Sequence, residues 1–220
     1  MAETLRSDLL EGIPHAFSTR APFDLQGILP GGVLVRVKQV HSAEVVFATE
    51  AMAAPLEADA LVTDQPGLLL GIVTADCAPV LLVDELARVI GAAHAGWRGA
   101  VSGVLENTVA AMVRLGSDPA DIRAAIGPTI AQSSYEVDEA FRTNFAESED
   151  RFFGPGREGH WQFDLPAFAA HRLALAGVTQ VEDLQEDTYS QPDRFHSFRR
   201  SSHRGEDTTG RQLSVIGLPH

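Results

Sequence analysis

Two histidines and the single cysteine of this chain are the residues whose types and spacing best suit a catalytic or metal-binding site. Cys77 lies 36 residues after His41 and 17 residues before His94. Two imidazoles and a thiolate are ligands that zinc accepts, and three protein ligands leave a fourth position for water or substrate, as in catalytic zinc sites. The trio therefore predicts a catalytic zinc site. Copper is the alternative ion, because copper(II) outcompetes zinc by intrinsic affinity.

Apolar runs typical of buried strands lead into each member of the trio. These runs cover residues 33–37, 68–75 and 89–93. Side chains at the ends of such strands can close on one metal ion. Taken singly, however, a lone cysteine is usually a small buried apolar residue, and a histidine beside a strand is often a hydrogen-bonded core residue.

Residues next to the trio are candidates for supporting roles. Asp76, one position before the cysteine, is a candidate catalytic residue, either as a general base or as a group behind the metal ligands. Because neighbouring residues of a strand face opposite sides, its carboxylate can instead satisfy buried main-chain amides. Gly91, Gly96 and Gly99 surround His94, and glycine at such positions often marks a close approach by a ligand or by another chain segment.

Two arginines are candidates for binding an anionic substrate. Arg98 follows His94 by four residues, and Arg200 ends the stretch 197–200. Guanidinium groups bind phosphate through paired hydrogen bonds. The alternatives are a structural ion pair between Arg98 and one of the many carboxylates, and a solvated surface position for Arg200.

Several stretches of the chain, in matching order, resemble the laccase-domain family, whose members are variously named polyphenol oxidase, peptidoglycan editing factor and broad-specificity purine nucleoside phosphorylase. The stretches are Phe17-Ser18-Thr19-Arg20, Lys38-Gln39-Val40-His41, Thr74 to Leu82, Ala92 to Gly99, Ile126-Gly127-Pro128, Tyr135-Glu136-Val137, Ser197 to Arg200 and Thr209-Gly210-Arg211. The resemblance implies zinc bound by His41, Cys77 and His94. It also implies phosphorolysis of purine nucleosides, with adenosine deamination beside it.

The chain departs from the family pattern in three places. Only residues 21–37 separate the first two of these stretches, where the family usually has a longer segment with a helix that forms part of the pocket wall. Ser133-Ser134 and Asp187 stand where relatives often have cysteine. The tail segment 201–207, which follows Arg200, is longer than usual.

The implied reaction suits such a site. Cleavage of an N-glycosidic bond leaves negative charge on the departing base, and the enzyme must hold an anionic nucleophile, here phosphate, near the ribose. Zinc can stabilise the base, or it can activate a water whose pKa it lowers to about 7. Attack of that water on C6 of adenine would give deamination, as in zinc nucleobase deaminases. The candidate substrates are adenosine, inosine, guanosine and methylthioadenosine.

Other classes of protein stay open on the sequence alone. A cysteine hydrolase acting on a peptidoglycan precursor would use Cys77 as nucleophile and His94 as base. A non-catalytic interaction protein would use the metal for stability only. A multicopper oxidase is disfavoured, because the eight histidines include no His-x-His pair and such an enzyme needs many clustered imidazoles.

Composition is typical of a compact enzyme with small-molecule partners. The chain has 220 residues, 45% of them hydrophobic, and a formal net charge of −13 from 17 basic and 30 acidic residues. An acidic surface repels a phosphate backbone, so nucleic-acid binding is not expected. The apolar runs fall short of the roughly 20 residues that cross a bilayer, and no signal peptide is apparent. With one cysteine there is no internal disulfide, so a cytoplasmic location is expected. A monomer or a homodimer is the expected assembly.

Periodicity and the resemblance together predict the fold class. Apolar segments predict strands at Val33–Val37, Val45–Ala48, Leu68–Thr74, Val80–Val83, Val89–Ala93 and Ile122–Ile126. Helical spacing predicts helices at Ala100–Leu115, Pro166–Ala176 and Val137–Ala146, of which the first two end at Gly116 and Gly177. We expect an α+β fold of layered mixed β-sheets covered by helices, in a single domain over residues 1–220.

Overall fold

The computed structural model describes residues 3–21, 24–50 and 55–220 of the chain. The strands lie in three sheets, and both strands and helices are numbered here in chain order. One sheet contains, in spatial order, β1 (Thr4–Leu5), β2 (His15–Ser18), β14 (Gln212–Gly217), β6 (Leu68–Thr74) and β3 (Val33–Arg36). A second contains β13 (Gln180–Asp183), β9 (Arg123–Ile126), β7 (Ala78–Asp84), β8 (Val89–Ala95), β5 (Ala60–Thr63) and β4 (Val45–Phe47). A small third sheet contains β10 (Glu136–Asp138), β12 (His160–Phe163) and β11 (Phe153–Pro155).

Helices connect and cover these sheets. The α-helices are α1 (Trp97–Val101), α2 (Val104–Arg114), α3 (Glu139–Arg142), α4 (Leu165–Leu175) and α5 (Phe198–Arg204). Short 3-10 helices lie at Leu25–Gly27, Gln132–Ser134 and Glu147–Phe152. Within the described parts of the chain, no helix has both the length and the apolar composition needed to cross a membrane.

Both large sheets are mixed. In the first, β14 is antiparallel to β2 and β6, whereas β3 is parallel to β6. In the second, β7 is antiparallel to β8 and β9, and the edge strands β4 and β13 are parallel to their neighbours. The α+β class predicted from the sequence is confirmed, together with its layered mixed sheets.

The two large sheets pack face to face, and helices α1, α2 and α4 cover the outer face of the six-stranded sheet. Leu81 and Val83 of β7 face a cluster shared with Leu70 and Ile72 of β6. Leu82, between them, faces the opposite cluster, which includes side chains of α2 and α4. Strands buried on both faces have continuous apolar sequences, which explains why these runs were recognisable from the sequence.

The long helix predicted over 100–115 is interrupted. Ser102 and Gly103 separate α1 from α2, and Gly103 is the N-cap of α2 with a left-handed φ of 95° that interrupts the helix. Gly91 of β8 lies under α2, where an added Cβ would come within 3.2 Å of Met112 Sδ. The glycine thus allows the helix to lie close to the sheet.

The other two predicted helices have different outcomes. The helix predicted over 166–176 is confirmed as α4, which starts at the N-cap Asp164. The helix predicted over 137–146 is largely wrong, because Val137 pairs with Trp161 in a sheet and buries its side chain in the core. The carboxylate of Asp138 then caps the four-residue helix α3.

Candidate metal centre

Strand pairing brings Cys77 and His94 to the same end of the six-stranded sheet. Pro79 of β7 pairs with His94 of β8, so Cys77, which directly precedes β7, lies opposite Gly96, which directly follows β8. A Cβ at Gly96 would lie 2.9 Å from Cys77 Sγ and 3.0 Å from His41 Cδ2. Glycine at this position therefore leaves the space that the sulfur and the second imidazole occupy.

His41 approaches from the loop that leads from the five-stranded sheet to the six-stranded sheet. Its Nε2 lies 3.9 Å from Cys77 Sγ, and its ring centroid lies 4.8 Å from that of His94. The donor atoms of the three residues all lie within 4.8 Å of one another. His41, Cys77 and His94, which are far apart in the sequence, thus lie together in the structure.

A buried carboxylate supports both histidines. Asp59 Oδ1 accepts hydrogen bonds from His94 Nδ1 at 2.7 Å and from the His41 amide at 3.0 Å. Asp59 Oδ2 accepts from the amides of Val40 and Ser42 at 3.1 and 2.6 Å, and from the Ser42 hydroxyl at 2.9 Å. Because the carboxylate holds a proton on Nδ1 of His94, Nε2 is the ring nitrogen that can act as a ligand once its own proton is lost.

These contacts shift the pKa values of Cys77 and His94. Burial opposes charge on the Cys77 thiol, but hydrogen bonds from both imidazoles outweigh it and lower the pKa of Cys77 to about 6. Burial also opposes charge on His94, yet the bond to Asp59 raises the pKa of that imidazole to about 9. Despite its own burial, the carboxyl of Asp59 has a pKa held well below its usual range by His94 and Ser42. The site therefore favours a thiolate.

The donor set fits a zinc or copper ion. A tetrahedral zinc site with ordinary bond lengths separates a ligand nitrogen from a ligand sulfur by about 3.6 Å, close to the 3.9 Å between His41 Nε2 and Cys77 Sγ. Imidazole and thiolate suit both metals. Among the described residues, this is the group of histidine, cysteine and acidic side chains with metal-binding geometry.

The trio lines a cavity of about 560 Å³. The complete lining consists of Val37, Gln39, His41, Val73, Thr74, Ala75, Asp76, Cys77, His94, Trp97, Arg98, Ile130, Tyr135, Leu165, Phe198, Arg199 and Arg211. Aromatic, aliphatic and cationic side chains thus share one wall with the candidate ligands. A volume in this range is typical of small-molecule pockets.

Asp76 lines the cavity, but both of its carboxylate oxygens are engaged. Oδ1 accepts the hydroxyl of Thr188 at 2.6 Å, and Oδ2 accepts the amide of Arg199 at 2.6 Å. Asp76 has a φ of 83°, so it lies in a turn and not in a strand. Of the three roles open from the sequence, these contacts match the satisfaction of buried donors.

The two candidate arginines have different positions. Arg98 is exposed on the cavity wall, with its guanidinium carbon 4.5 Å from the ring centroid of Trp97. Arg200 is buried and does not line this cavity. Its guanidinium donates to the carbonyl oxygens of Thr188, Tyr189 and Phe195. The sequence-based assignment of Arg200 as a substrate ligand is therefore corrected, because its donors bind the main chain.

Comparison with known proteins places the chain among its relatives. Residues 23–219 match the family model described as multi-copper polyphenol oxidoreductase laccase. The chain belongs to this family. It is 40% identical over 184 residues to a purine nucleoside phosphorylase of Rickettsia conorii, covering 82% of this chain and 76% of that one. It is 43% identical over 186 residues to a purine nucleoside phosphorylase of Deinococcus radiodurans, covering 84% and 70%.

The fold of this laccase-family chain matches solved structures over nearly its whole length. A hypothetical protein YfiH of Bacillus licheniformis aligns with a TM-score of 0.88 at 28% identity, covering 99% of this chain and 97% of that one.

The structure adds residues to the site that sequence reasoning did not select. Asp59 stands directly before the strand β5, and a carboxylate at the start of a fully buried strand is a signal of a buried partner. Arg199 lies beside Arg200 in one of the family stretches, and its guanidinium carbon lies 5.1 Å from the ring centroid of Tyr135. Arg211, at the end of another stretch, also lines the cavity.

Proposed function

We propose that this protein is a zinc-dependent purine nucleoside phosphorylase. The observation that supports this most directly is the convergence of His41, Cys77 and His94 on the wall of a cavity that arginines also line. Both relatives described above are named purine nucleoside phosphorylase. The substrates would be a purine nucleoside, such as adenosine, inosine, guanosine or methylthioadenosine, and inorganic phosphate.

The reaction balances without any redox partner. A phosphate oxygen forms a bond to C1′ of the ribose while the bond between C1′ and the purine nitrogen breaks. The electron pair of that bond leaves with the purine, which takes up a proton. The products are the free base and ribose 1-phosphate.

Three side chains of the chain would bind the ion. His41, Cys77 and His94 would bind zinc, or copper as the alternative, through two nitrogens and a thiolate. When bound, the ion supplies Lewis acidity, which stabilises negative charge or makes a water nucleophilic near neutral pH. The low pKa of the Cys77 thiol supports this role, since a metal ligand must be deprotonated.

Phosphate binding is assigned to Arg98 and Arg199. Neither forms an ion pair among the parts of the chain that the structure describes, so their charges face the cavity without a carboxylate partner. The alternative of a structural ion pair for Arg98 is thereby disfavoured. Arg199 also donates to the carbonyl of Glu136 at 2.7 Å, which restrains its side chain. Two cationic groups in an otherwise acidic protein favour a small anion at this place.

The purine would lie against the aromatic part of the wall. Phe198 is 51% exposed although it lines the cavity, and an exposed phenyl ring offers a stacking surface. Tyr135 lies across the same cavity, and burial raises the pKa of its hydroxyl. This hydroxyl stays protonated at neutral pH, so it is a suitable donor to a nitrogen or oxygen of the departing base.

Adenosine deamination at the same centre is the second part of the proposal. Water would add to C6 of adenine; the amino group would leave as ammonia with one of the water protons, and the other proton would end on N1 of the product inosine. The two activities would share His41, Cys77 and His94, so loss of the metal would remove both. In this scheme Asp76 positions Arg199, because both carboxylate oxygens already accept hydrogen bonds.

A metal-free cysteine hydrolase is the second candidate function, and one observation favours it. Asp59, His94 and Cys77 follow one another in the order of a catalytic triad, with 2.7 Å between the carboxylate and His94 Nδ1. In that reaction the Cys77 thiolate would attack the carbonyl carbon of an amide or peptide bond in a cell-wall precursor. The C–N bond would break, the amine would leave with a proton from His94, and water would then hydrolyse the thioester to a carboxylic acid and restore the thiol. Metal content separates the two candidates, since the nucleophile would need no ion.

The setting proposed for this enzyme is the cytoplasm, where the lone cysteine would stay reduced. We propose that the chain acts as a monomer or homodimer on small molecules, without nucleic-acid or membrane partners. The net charge of −13 supports the exclusion of nucleic acid.

A nucleoside panel tests the proposed function. Purified zinc-loaded protein is incubated with each of the four nucleosides, with and without inorganic phosphate, and free base is separated by chromatography. We expect base release from at least one nucleoside only when phosphate is present. Release that is independent of phosphate would reassign the enzyme as a hydrolase, and no release from any nucleoside would contradict the proposal.

A further inference from the structure

The carboxylate of Asp59 is fully buried between the two segments that present the candidate histidine ligands. Its two oxygens have separate partners on the side of His41: Oδ1 accepts the amide of His41, whereas Oδ2 accepts the amides of Val40 and Ser42 and the Ser42 hydroxyl. Only Oδ1 also binds the ring of His94. One carboxylate therefore connects both histidines.

The loop of His41 depends on these bonds. His41 has a φ of 61°, a left-handed conformation that is unfavourable for a non-glycine residue. Three successive amides, of residues 40–42, converge on the carboxylate, and such a concave set of N–H groups is an anion-binding arrangement. Hydrogen bonds to a charged group are stronger than those between neutral groups. The bonds that Asp59 accepts from residues 40–42 thus stabilise the strained turn that places the His41 imidazole beside Cys77.

The ring of His94 depends on the same group in a different way. A carboxylate accepts hydrogen bonds only, so the proton of neutral His94 must reside on Nδ1, and Nε2 presents its lone pair. The main chain adds to this constraint, because the Asp59 carbonyl accepts the His94 amide at 2.7 Å. Ring orientation and tautomer are therefore both determined at Asp59.

We infer that Asp59 is a positioning residue that sets both histidine ligands of the metal centre at once, the His94 ring through its tautomer and the His41 ring through the left-handed turn. The inference rests on the metal centre of the proposed function. Groups that orient a ligand in this way typically change metal affinity by about 10–100-fold when they are replaced.

Substitution by asparagine separates the two roles that the carboxylate combines. An amide has one acceptor oxygen and one donor nitrogen. If the oxygen stays at the Oδ1 position, the NH2 group opposes the amides of Val40 and Ser42. If the amide is flipped, the NH2 group donates to His94 Nδ1, which moves the ring proton to Nε2 and removes that ligand. Neither orientation serves both histidines.

The test is zinc affinity of Asp59→Asn measured by competition with a chelator of known affinity. We expect a loss of at least about tenfold relative to wild type, and a changed absorption spectrum of the cobalt(II)-substituted protein. The matched control is Asp84→Asn. Asp84 is equally buried and accepts main-chain amides of Ala87 and Asp118, but it lies at the far end of β7. We expect its zinc affinity to stay within about twofold of wild type.

Two outcomes would overturn the inference: wild-type zinc affinity in folded Asp59→Asn, or an equal loss of affinity in Asp84→Asn. If Asp59→Asn does not fold, the wild-type protein decides the question. Long-range proton–nitrogen NMR of the metal-free wild type at a pH where His94 is neutral should show the Nδ1–H tautomer, and an Nε2–H tautomer would contradict the inference. Zinc binding without any nucleoside cleavage would refute only the proposed function and leave this role intact.

Discussion

The carboxylate of Asp76 accepts the main-chain hydrogen of Arg199 at 2.6 Å. This bond joins the turn that presents Cys77 to the first turn of helix α5, although 123 residues separate the two partners. It orients the start of α5 so that the Arg199 side chain faces the cavity and stacks on Tyr135. The candidate metal ligand and the candidate phosphate ligand are therefore fixed relative to each other by one carboxylate.

Substitutions at Asp76 distinguish a positioning role from a general base. Asparagine tolerates the left-handed backbone, and its amide can accept from Arg199 while donating to the hydroxyl of Thr188, which also accepts. We expect Asp76→Asn to keep kcat within about fivefold, because a positioning residue that keeps its hydrogen bonds takes no part in proton transfer. Loss of a general base would instead lower kcat by about 10²–10⁴-fold. Asp76→Ala should raise the KM for phosphate at least tenfold in steady-state assays. A collapse of kcat in Asp76→Asn with unchanged KM would instead indicate a general base.

Substitutions of the neighbouring residues Arg199 and Arg200 should have different effects, the first on phosphate binding and the second on folding stability. Arg199→Gln removes a cationic group from the cavity, and we expect the KM for phosphate to rise at least tenfold. Arg200→Gln removes the donors of three carbonyl groups, and leaving buried polar groups unpaired costs about 1–3 kcal/mol each.

Urea unfolding and steady-state kinetics of both variants provide the measurements. We expect the free energy of unfolding of Arg200→Gln to be lower than that of wild type by about 3 kcal/mol or more. The folded fraction should keep a KM for phosphate close to that of wild type. The reverse pattern, a stable Arg200→Gln with a raised KM for phosphate, would indicate that Arg200 binds the phosphate, as predicted from the sequence.

Gly96→Ala should weaken metal binding through crowding alone. Gly96 has φ and ψ of −70° and 158°, which alanine adopts freely, but the added Cβ would lie 2.9 Å from Cys77 Sγ. The sulfur must move, and we expect zinc affinity to fall at least tenfold, as for other losses of ligand geometry.

The control for this substitution is Gly27→Ala, where the nearest atom to an added Cβ is 3.8 Å away. Zinc affinity of this variant should equal that of wild type in the same competition assay. Unchanged affinity in Gly96→Ala would mean that the trio is less crowded than the structure indicates.

Alkylation of Cys77 reports on both protonation and metal binding. The pKa of this thiol is lowered to about 6, and the thiolate is the reactive form. In metal-free protein we expect the rate of labelling by iodoacetamide to rise with pH through about 6, below the usual range of about 8.5. Zinc-loaded protein should label more slowly, because the sulfur is bound to the ion.

The variant Cys77→Ala completes this comparison and addresses the hydrolase alternative. If Cys77 is a ligand, the variant should lose zinc and activity together, as measured by metal analysis and base release. Equal labelling with and without zinc, combined with full metal content in Cys77→Ala, would falsify the ligand assignment. A covalent intermediate on Cys77 detected by mass spectrometry in metal-free protein would support the nucleophile instead.

The fold class and the convergence of His41, Cys77 and His94 could be predicted from the sequence for a physical reason. Strands buried on both faces form long apolar runs, so the polar residues at their ends, Cys77 and His94, stand out. Asp59 did not stand out, because its partners are mostly main-chain amides, which residue types do not encode. The choice between Arg199 and Arg200 depends on rotation about α5, and neighbouring helix residues point about 100° apart. The break at Gly103 was hidden because the apolar positions on both sides keep helical spacing.

The most direct test of the zinc-dependent phosphorylase is a titration of metal-free protein with zinc while ribose 1-phosphate is measured by phosphorus NMR. With phosphate and a reactive nucleoside present, we expect product formation to rise with zinc and to level off at about one ion per chain, the stoichiometry of a single three-ligand site. Without phosphate no sugar phosphate forms, and chelation returns the rate to baseline. Full formation of ribose 1-phosphate by verified metal-free protein would contradict the account.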